Sequence, residues 1–310
     1  MAYLLSPRRR RLLASMLAIG GGALPFGPVA AAPSALLTRP IPSSREALPV
    51  IGLGSWITFN VGNDRAARAG CADVMRHFFA AGGRLLDSSP MYGSAQEVIG
   101  DGLRQLGKPA ALFSADKVWT GSGPRGPEQI ETSRRLWGTD RFDLLQVHNL
   151  LAWEAHLPAL FAMKAAGKLR YVGITTSEGR RHAEIVKIMA SQPIDFVQVT
   201  YNIADREAEQ RILPLASERG IAVIANRPFR QGDLTGALKR HRLPAWAADI
   251  DCTTWAQVLL KFIVSHPAIT CAIPATSSVA HVRENMLAGT GRMPDAALRR
   301  RMAEHVATLA

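Results

Sequence analysis

The run RLLDSSPMYGSAQEVIGDGL, residues 84–103, contains one complete repeat of the pattern that decides the fold. Its apolar start, residues 84–88, reads as a short buried strand. The Ser-Ser-Pro-Met-Tyr-Gly that follows reads as a turn, and the segment from Ala95 has the apolar spacing of a helix with one covered face. The same rhythm extends in both directions. Strands are predicted at 50–56, 84–88, 111–118, 143–148, 170–175, 196–201, 222–226 and 270–273, and helices beginning near Ala66, Ala95, Glu128, Leu157, Glu178, Glu207, Thr254 and Ala280. Eight strands alternating with eight helices predict an α/β chain folded as a closed (β/α)8, or TIM, barrel over residues 48–310. An open parallel sheet would more often show a G-x-G-x-x-G turn after its first strand. Here Gly52-Leu53-Gly54 lacks the third glycine and lies inside the strand. A phosphate-loop spacing over residues 102–108 also fails, because Pro109 stands where a magnesium-binding hydroxyl is needed.

With 310 residues, 47% of them hydrophobic and 20% charged, the chain can bury a large core. The formal charge of +12 includes Arg8, Arg9, Arg10 and Arg11, and removing those four leaves a surplus of eight. Aromatic residues do not interleave with the basic runs, and Arg299, Arg300 and Arg301 read as a solvated helix face, so nucleic acid is not an expected partner. Cys71, Cys252 and Cys271 are odd in number and far apart, which argues against a disulfide framework. No metal is expected, since the sequence has neither CxxC nor H-E-x-x-H.

Ahead of the barrel, residues 1–31 run from a basic cluster through an apolar, glycine-interrupted stretch to Val29-Ala30-Ala31, the three-part layout of a secretory signal. Arg9-Arg10, a spacer and Leu12-Leu13 resemble a twin-arginine signal. The expectation is cleavage after Ala31, passage through the twin-arginine export machinery and a periplasmic location, or a cytoplasmic one if the signal is not used. The segment is too short and interrupted for a stable membrane span. Residues 32–47, rich in proline and serine, read as a flexible leader.

In a barrel the chemistry sits at the C-terminal strand ends. The second strand ends in Asp87, the turn after it carries Tyr92, the third strand ends at Lys117 and the fourth at His148. Each residue alone has a structural explanation. Together they suit carbonyl reduction, in which a hydride adds to carbon while the oxygen must receive a proton. Tyr92 supplies that proton, Lys117 favours the phenolate, Asp87 steadies the ammonium, and a neutral His148 orients the carbonyl oxygen.

These residues and the stretches LPVIGLGSW (48–56), LLDSSPMYGSAQEVIG (85–100), DLLQVHN (143–149), GKLRYVGIT (167–175), FVQVTYN (196–202) and IPATSSVAHVREN (273–285) resemble the aldo-keto reductase family. The resemblance implies catalytic roles for Asp87, Tyr92, Lys117 and His148. It also implies a nicotinamide carboxamide against Thr175, Thr176 and Gln198, and substrate walls from Trp56, Trp119 and Asn149. Three departures stand out. Thr175-Thr176 replaces the usual serine and asparagine. Asn226, followed by Arg227, replaces an aromatic that stacks on the nicotinamide. Ala275 and His281 stand where a lysine and an arginine usually clamp the 2′-phosphate of NADPH. Ser277, Ser278 and Arg283 remain as phosphate partners, and Glu284 and Asn285 match adenine contacts. The implied cofactor is NADPH, with NADH possible, and the implied substrate is a small aldehyde or ketone. A second expectation is a barrel that senses NAD(P)H for a partner without turnover.

Overall fold

A computed structural model describes residues 35–309, so the expected signal over 1–31 lies outside the described residues. The chain first forms a two-stranded antiparallel hairpin, β1 (Thr38–Pro40) and β2 (Ala47–Pro49). Eight parallel strands follow: β3 (Leu53–Gly54), β4 (Leu85–Asp87), β5 (Phe113–Val118), β6 (Phe142–His148), β7 (Leu169–Thr175), β8 (Phe196–Thr200), β9 (Ala222–Asn226) and β10 (Cys271–Ala272). Each is hydrogen-bonded to its neighbour in chain order, the arrangement that right-handed helical crossovers produce. The sheet closes on itself through bridges pairing Ile51 with Ala272 and Gly54 with Ala275. Bare glycines are needed at this seam. A Cβ on Gly52 would lie 2.9 Å from the Leu85 carbonyl oxygen, and one on Gly54 2.9 Å from that of Ile273.

Outside the barrel lie α1 (Arg65–Ala80), α2 (Ala95–Gln105), α3 (Gly126–Trp137), α4 (Trp153–Ala165), α5 (His182–Ser191), α6 (Ile212–Arg219), α7 (Asp233–Leu238), α8 (Trp255–Val264), α9 (Val279–Leu287) and α10 (Ala296–Ala307). Several starts are set by side-chain caps. Asp64 accepts from the amides of Ala66 and Ala67, and Ser278 accepts from that of His281. The barrel lumen is filled by Leu85, Phe113, Leu144, Tyr171, Phe196 and Ile224, so the strands enclose a packed core and the opening is confined to one end.

Three expectations need correction. The leader is not without structure: from Thr38 onward it is the hairpin, because Ile41 and Leu48 are fully buried against the barrel floor and Glu46 pairs with Arg84 and Arg170. The helices expected near Glu178 and Glu207 start later, at His182 and Ile212, since Glu178 and Arg181 hold left-handed backbone and residues 207–209 form a 3-10 turn. Arg299 is not on a solvated face. Its guanidinium lies 4.6 Å from the centre of the Phe262 ring and donates to the Tyr201 hydroxyl, anchoring α10.

Candidate active site

Asp87, Lys117 and His148 lie at the C-terminal ends of three adjacent strands, and the turn between β4 and α2 brings Tyr92 over them. The Lys117 ammonium, fully buried, donates to Asp87 Oδ2 at 2.6 Å and to the Ser88 carbonyl at 2.7 Å. The other Asp87 oxygen accepts from Gln198 Nε2 at 2.9 Å. Lys117 Nζ sits 5.0 Å from the centre of the Tyr92 ring. That ring meets His148 edge to face, with centres 5.6 Å apart.

Burial alone would drive the ammonium of Lys117 to give up its proton, but Asp87 and the other anionic groups outweigh it and hold the lysine above its ordinary value. Burial pushes the Tyr92 phenol up, and the opposing pull of Lys117 offsets this only in part. Lys117 pulls the phenol toward acidity as expected, but burial prevails, so Tyr92 is a protonated donor throughout the neutral range. Burial and the nearby ammonium push His148 down to about 2, so its ring is neutral. Ser89 Oγ lies 2.7 Å from His148 Nδ1 and accepts from the Met91 amide, and we assign its own proton to the bond with Nδ1. By that assignment His148 carries its own proton on Nε2. Nothing in the sequence pattern singled out Ser89, although it stands in the same turn as Tyr92.

A cavity of about 830 Å³ opens above these residues. Of the residues expected to bind cofactor or substrate, Thr175, Thr176, Gln198, Asn226, Arg227, Glu284, Asn285, Trp56 and Asn149 line it. Trp119, Ser277, Ser278 and Arg283 do not. Trp119 is 40% exposed on a loop whose backbone is clamped by Gln129, Ser278 is spent capping α9, and Ser277 and Arg283 are exposed. Asn226 donates to the Thr176 carbonyl at 2.9 Å and accepts from Thr200, which fixes its amide beside Gln198. Sequence reasoning missed Glu178, Phe229, Lys239 and Trp255, which also line the cavity. Glu178, Phe229 and Lys239 sit in turns without a periodic signature, and Trp255 opens α8.

The cavity fits a nicotinamide dinucleotide on one observation in particular. The Thr176 hydroxyl is buried, faces this wall and has no hydrogen-bond partner within the protein. A carboxamide placed against Thr175, Thr176, Gln198 and Asn226 would satisfy it. Among the described residues no cluster of His, Cys, Asp or Glu could hold a metal ion, and no helix is long and apolar enough to cross a membrane.

Comparison with known proteins bears on the whole barrel. Methylglyoxal reductase YeaE of Escherichia coli is 29% identical over 248 residues, covering 78% of this chain and 86% of that protein. The Klebsiella pneumoniae aldo/keto reductase solved in complex with NADP and acetate is 25% identical, with a TM-score of 0.69, covering 84% of this chain and 93% of the other. The holo form of aldo-keto reductase AKR11C1 from Bacillus halodurans shares the fold with a TM-score of 0.73 at 22% identity, covering 89% of this chain and 98% of the other. The family model for aldo/keto reductases matches residues 50–300, which include all eight barrel strands and these strand-end residues, and the chain belongs to the aldo/keto reductase family.

Proposed function

We propose that the chain reduces a small aldehyde or ketone with a hydride from NAD(P)H, and that Tyr92 delivers the proton to the carbonyl oxygen. The observation that carries this reading is the fully buried Lys117–Asp87 pair directly beneath a protonated Tyr92, with a neutral His148 at its edge. When bound, the nicotinamide supplies the hydride. Thr175, Thr176, Gln198 and Asn226 hold its carboxamide and so select the face it presents. The Tyr92 hydroxyl and His148 Nε2–H converge on the carbonyl oxygen, the histidine orienting it and the phenol protonating it. As the phenol gives up its proton, the Lys117 ammonium stabilises the negative charge left on it, and Asp87 keeps Lys117 charged while it does so. The complete tetrad disfavours a barrel that only senses cofactor.

The relative named methylglyoxal reductase makes a small α-oxoaldehyde the first substrate to test. Trp56 and Met91 give the cavity entrance an apolar wall suited to the carbon side of such a molecule. NADPH is the favoured cofactor, with Lys239 on the cavity wall as a cationic partner for its extra phosphate. Because Ala275 and His281 replace the usual clamp, NADH is also expected to bind. The test is fluorescence titration of both nucleotides, followed by turnover of methylglyoxal and larger carbonyls by wild type and Tyr92→Phe. The variant should bind cofactor as wild type does and lose about 10²–10⁴-fold in kcat. Equal turnover removes Tyr92 as the acid. The segment 1–31 supports export to the periplasm with the cofactor bound beforehand. Replacing Arg9 and Arg10 with lysine in the full chain should leave the protein in the cytoplasm, and unchanged export would refute the twin-arginine route.

A further inference from the structure

Alternation along β5 sends Lys117 into the barrel and the preceding Asp116 outward, into the layer between sheet and helices. That layer is otherwise built from residues such as Val98, Ile99, Leu103, Ile130 and Trp137. A carboxylate there costs several kcal/mol unless it is fully hydrogen-bonded, and Asp116 is 0% exposed. Its Oδ1 accepts from the Lys117 amide at 2.8 Å, and its Oδ2 accepts from Gln96 Nε2 at 2.7 Å. Gln96 Nε2 donates in turn to Ser133 Oγ at 2.8 Å. These three buried side chains join β5, α2 and α3. Gln96 lies four residues beyond Tyr92, and the backbone between them is continuous with α2, the Ala95 amide bonding to the Tyr92 carbonyl. The same two helices are pressed together at Gly100, where a Cβ would collide with the Leu136 carbonyl oxygen.

We infer that Asp116 is a positioning residue for the reaction: through Gln96 it ties the helix that carries the Tyr92 turn to the strand that carries Lys117, and so fixes the phenol over the ammonium. The inference rests on the carbonyl-reductase reading above. It explains why a costly polar triangle occupies an apolar layer that plain hydrophobic packing would otherwise fill. The groups around Asp116 are Lys117 on its own strand, Asp87 on β4 and Tyr92 on the turn, with Leu145 opposite on β6, Gln96 on α2 and Ser133 on α3. Burial pushes the Asp116 carboxyl up to about 7, with Lys117 and Gln96 pulling it back. The tie should therefore tighten as pH rises through neutrality, when the carboxylate forms and its bond to Gln96 becomes charge-assisted.

The test uses the full chain and three variants, Asp116→Leu, Gln96→Met and Asp116→Asn. Asp116→Leu and Gln96→Met should lower kcat by about 10–100-fold, because a displaced donor costs that much, while KM and the NADPH Kd stay within about twofold. In Asp116→Asn a flipped Gln96 can accept from the new amide. This variant should recover kcat to within about fivefold of wild type and lose the limb of the kcat–pH profile near pH 7. If Gln96→Met does not fold, Asp116→Asn still decides through the pH limb. Unchanged kcat in folded Asp116→Leu, equal losses in kcat and cofactor affinity, or a limb that persists in Asp116→Asn would each overturn the inference. Should wild type reduce no carbonyl, the functional reading fails, and the tie is then read from the tyrosinate absorbance of each protein less that of its Tyr92→Phe form. Breaking the tie in Gln96→Met, which keeps the Asp116 charge, should move the Tyr92 transition to higher pH, and an unmoved transition would overturn it.

Discussion

The two ends of the barrel are built on opposite terms. At the floor, most polar groups satisfy one another, Arg39 Nε being an exception. Glu46 pairs with Arg84 and Arg170, Arg170 with Asp143, and Asp143 accepts from both the amide and the hydroxyl of Ser114. The Tyr171 hydroxyl lies between Ser44 and Glu46, and the hairpin covers the aromatic cluster of Phe113, Tyr171 and Phe196. At the mouth, groups are left with something still to bind. Thr176 and Ser88 have buried hydroxyls without partners, a lysine is buried beneath a phenol, and the loops are strained. Of the twelve described non-glycine residues with left-handed φ, nine lie in segments between a barrel strand and the next helix, including the β-branched Ile57 at 64° and Arg227 at 50°. A pairing completed within the protein stabilises the fold, whereas one left open is available to a ligand. The lesson is that the stability of this barrel and its chemistry are held at separate ends and should be separable by mutation.

The strongest way to break that division is at Asp87. Asp87→Asn keeps the shape but removes the counter-charge of Lys117, and kcat should fall by about 10²–10³-fold with cofactor affinity nearly unchanged. Steady-state kinetics beside fluorescence titration checks this, and a matching loss of thermal stability without loss of kcat would merge the two ends. Next comes Glu46→Ala, which leaves Arg84 and Arg170 without their partner. The expected cost is about 2 kcal/mol in denaturant unfolding, with kcat and KM untouched. Burial would raise the Glu46 carboxyl, but Arg84, Tyr171 and Arg170 outweigh it and hold it below its ordinary 4.5. A folded-state value below the unfolded one means that its contribution is complete above about pH 4.5 and is lost as the pH falls further. Glu46→Gln should flatten that part of the stability–pH curve.

Smaller effects sharpen the contrast. Thr176→Val removes the unpartnered hydroxyl and should weaken NADPH binding by about 5–10-fold, roughly 1 kcal/mol, without destabilising the apoprotein. An unchanged Kd would mean that this hydroxyl does not meet the cofactor. Trp119→Ala should be the mildest, changing KM for any carbonyl by less than about twofold, because its loop is turned away from the cavity. A large rise in KM would return Trp119 to the substrate wall.

The parts of the molecule that could be read from sequence are those in which one physical constraint dominates. Strands such as 222–226 and 143–148 appear as apolar runs because both of their faces are buried. Asp87, Lys117 and His148 stand out because an ionisable residue that ends such a run must face the barrel mouth. Residues 38–49 could not be read in this way. Proline and serine mask two three-residue strands whose burial depends on a floor assembled from residues far away in the chain. Asp116 was not legible as a buried outward-facing carboxylate, since its partners Gln96 and Ser133 come from two separate helices. The effect of burial on Tyr92 was equally out of reach, because only the folded cavity decides whether desolvation or the neighbouring ammonium prevails.

The seam between Ile51 and Ala272 also governs how the chain is made. Its two edges are separated by most of the sequence, so during synthesis the first strand waits with unpaired amides until the eighth leaves the ribosome. A nascent chain that stalls after Asn226 holds most of the barrel with one flank open, which invites pairing with another nascent chain. Ribosome-bound intermediates of that length should be the ones that recruit chaperones, and release of the 38 residues beyond β10 is the step that retires them.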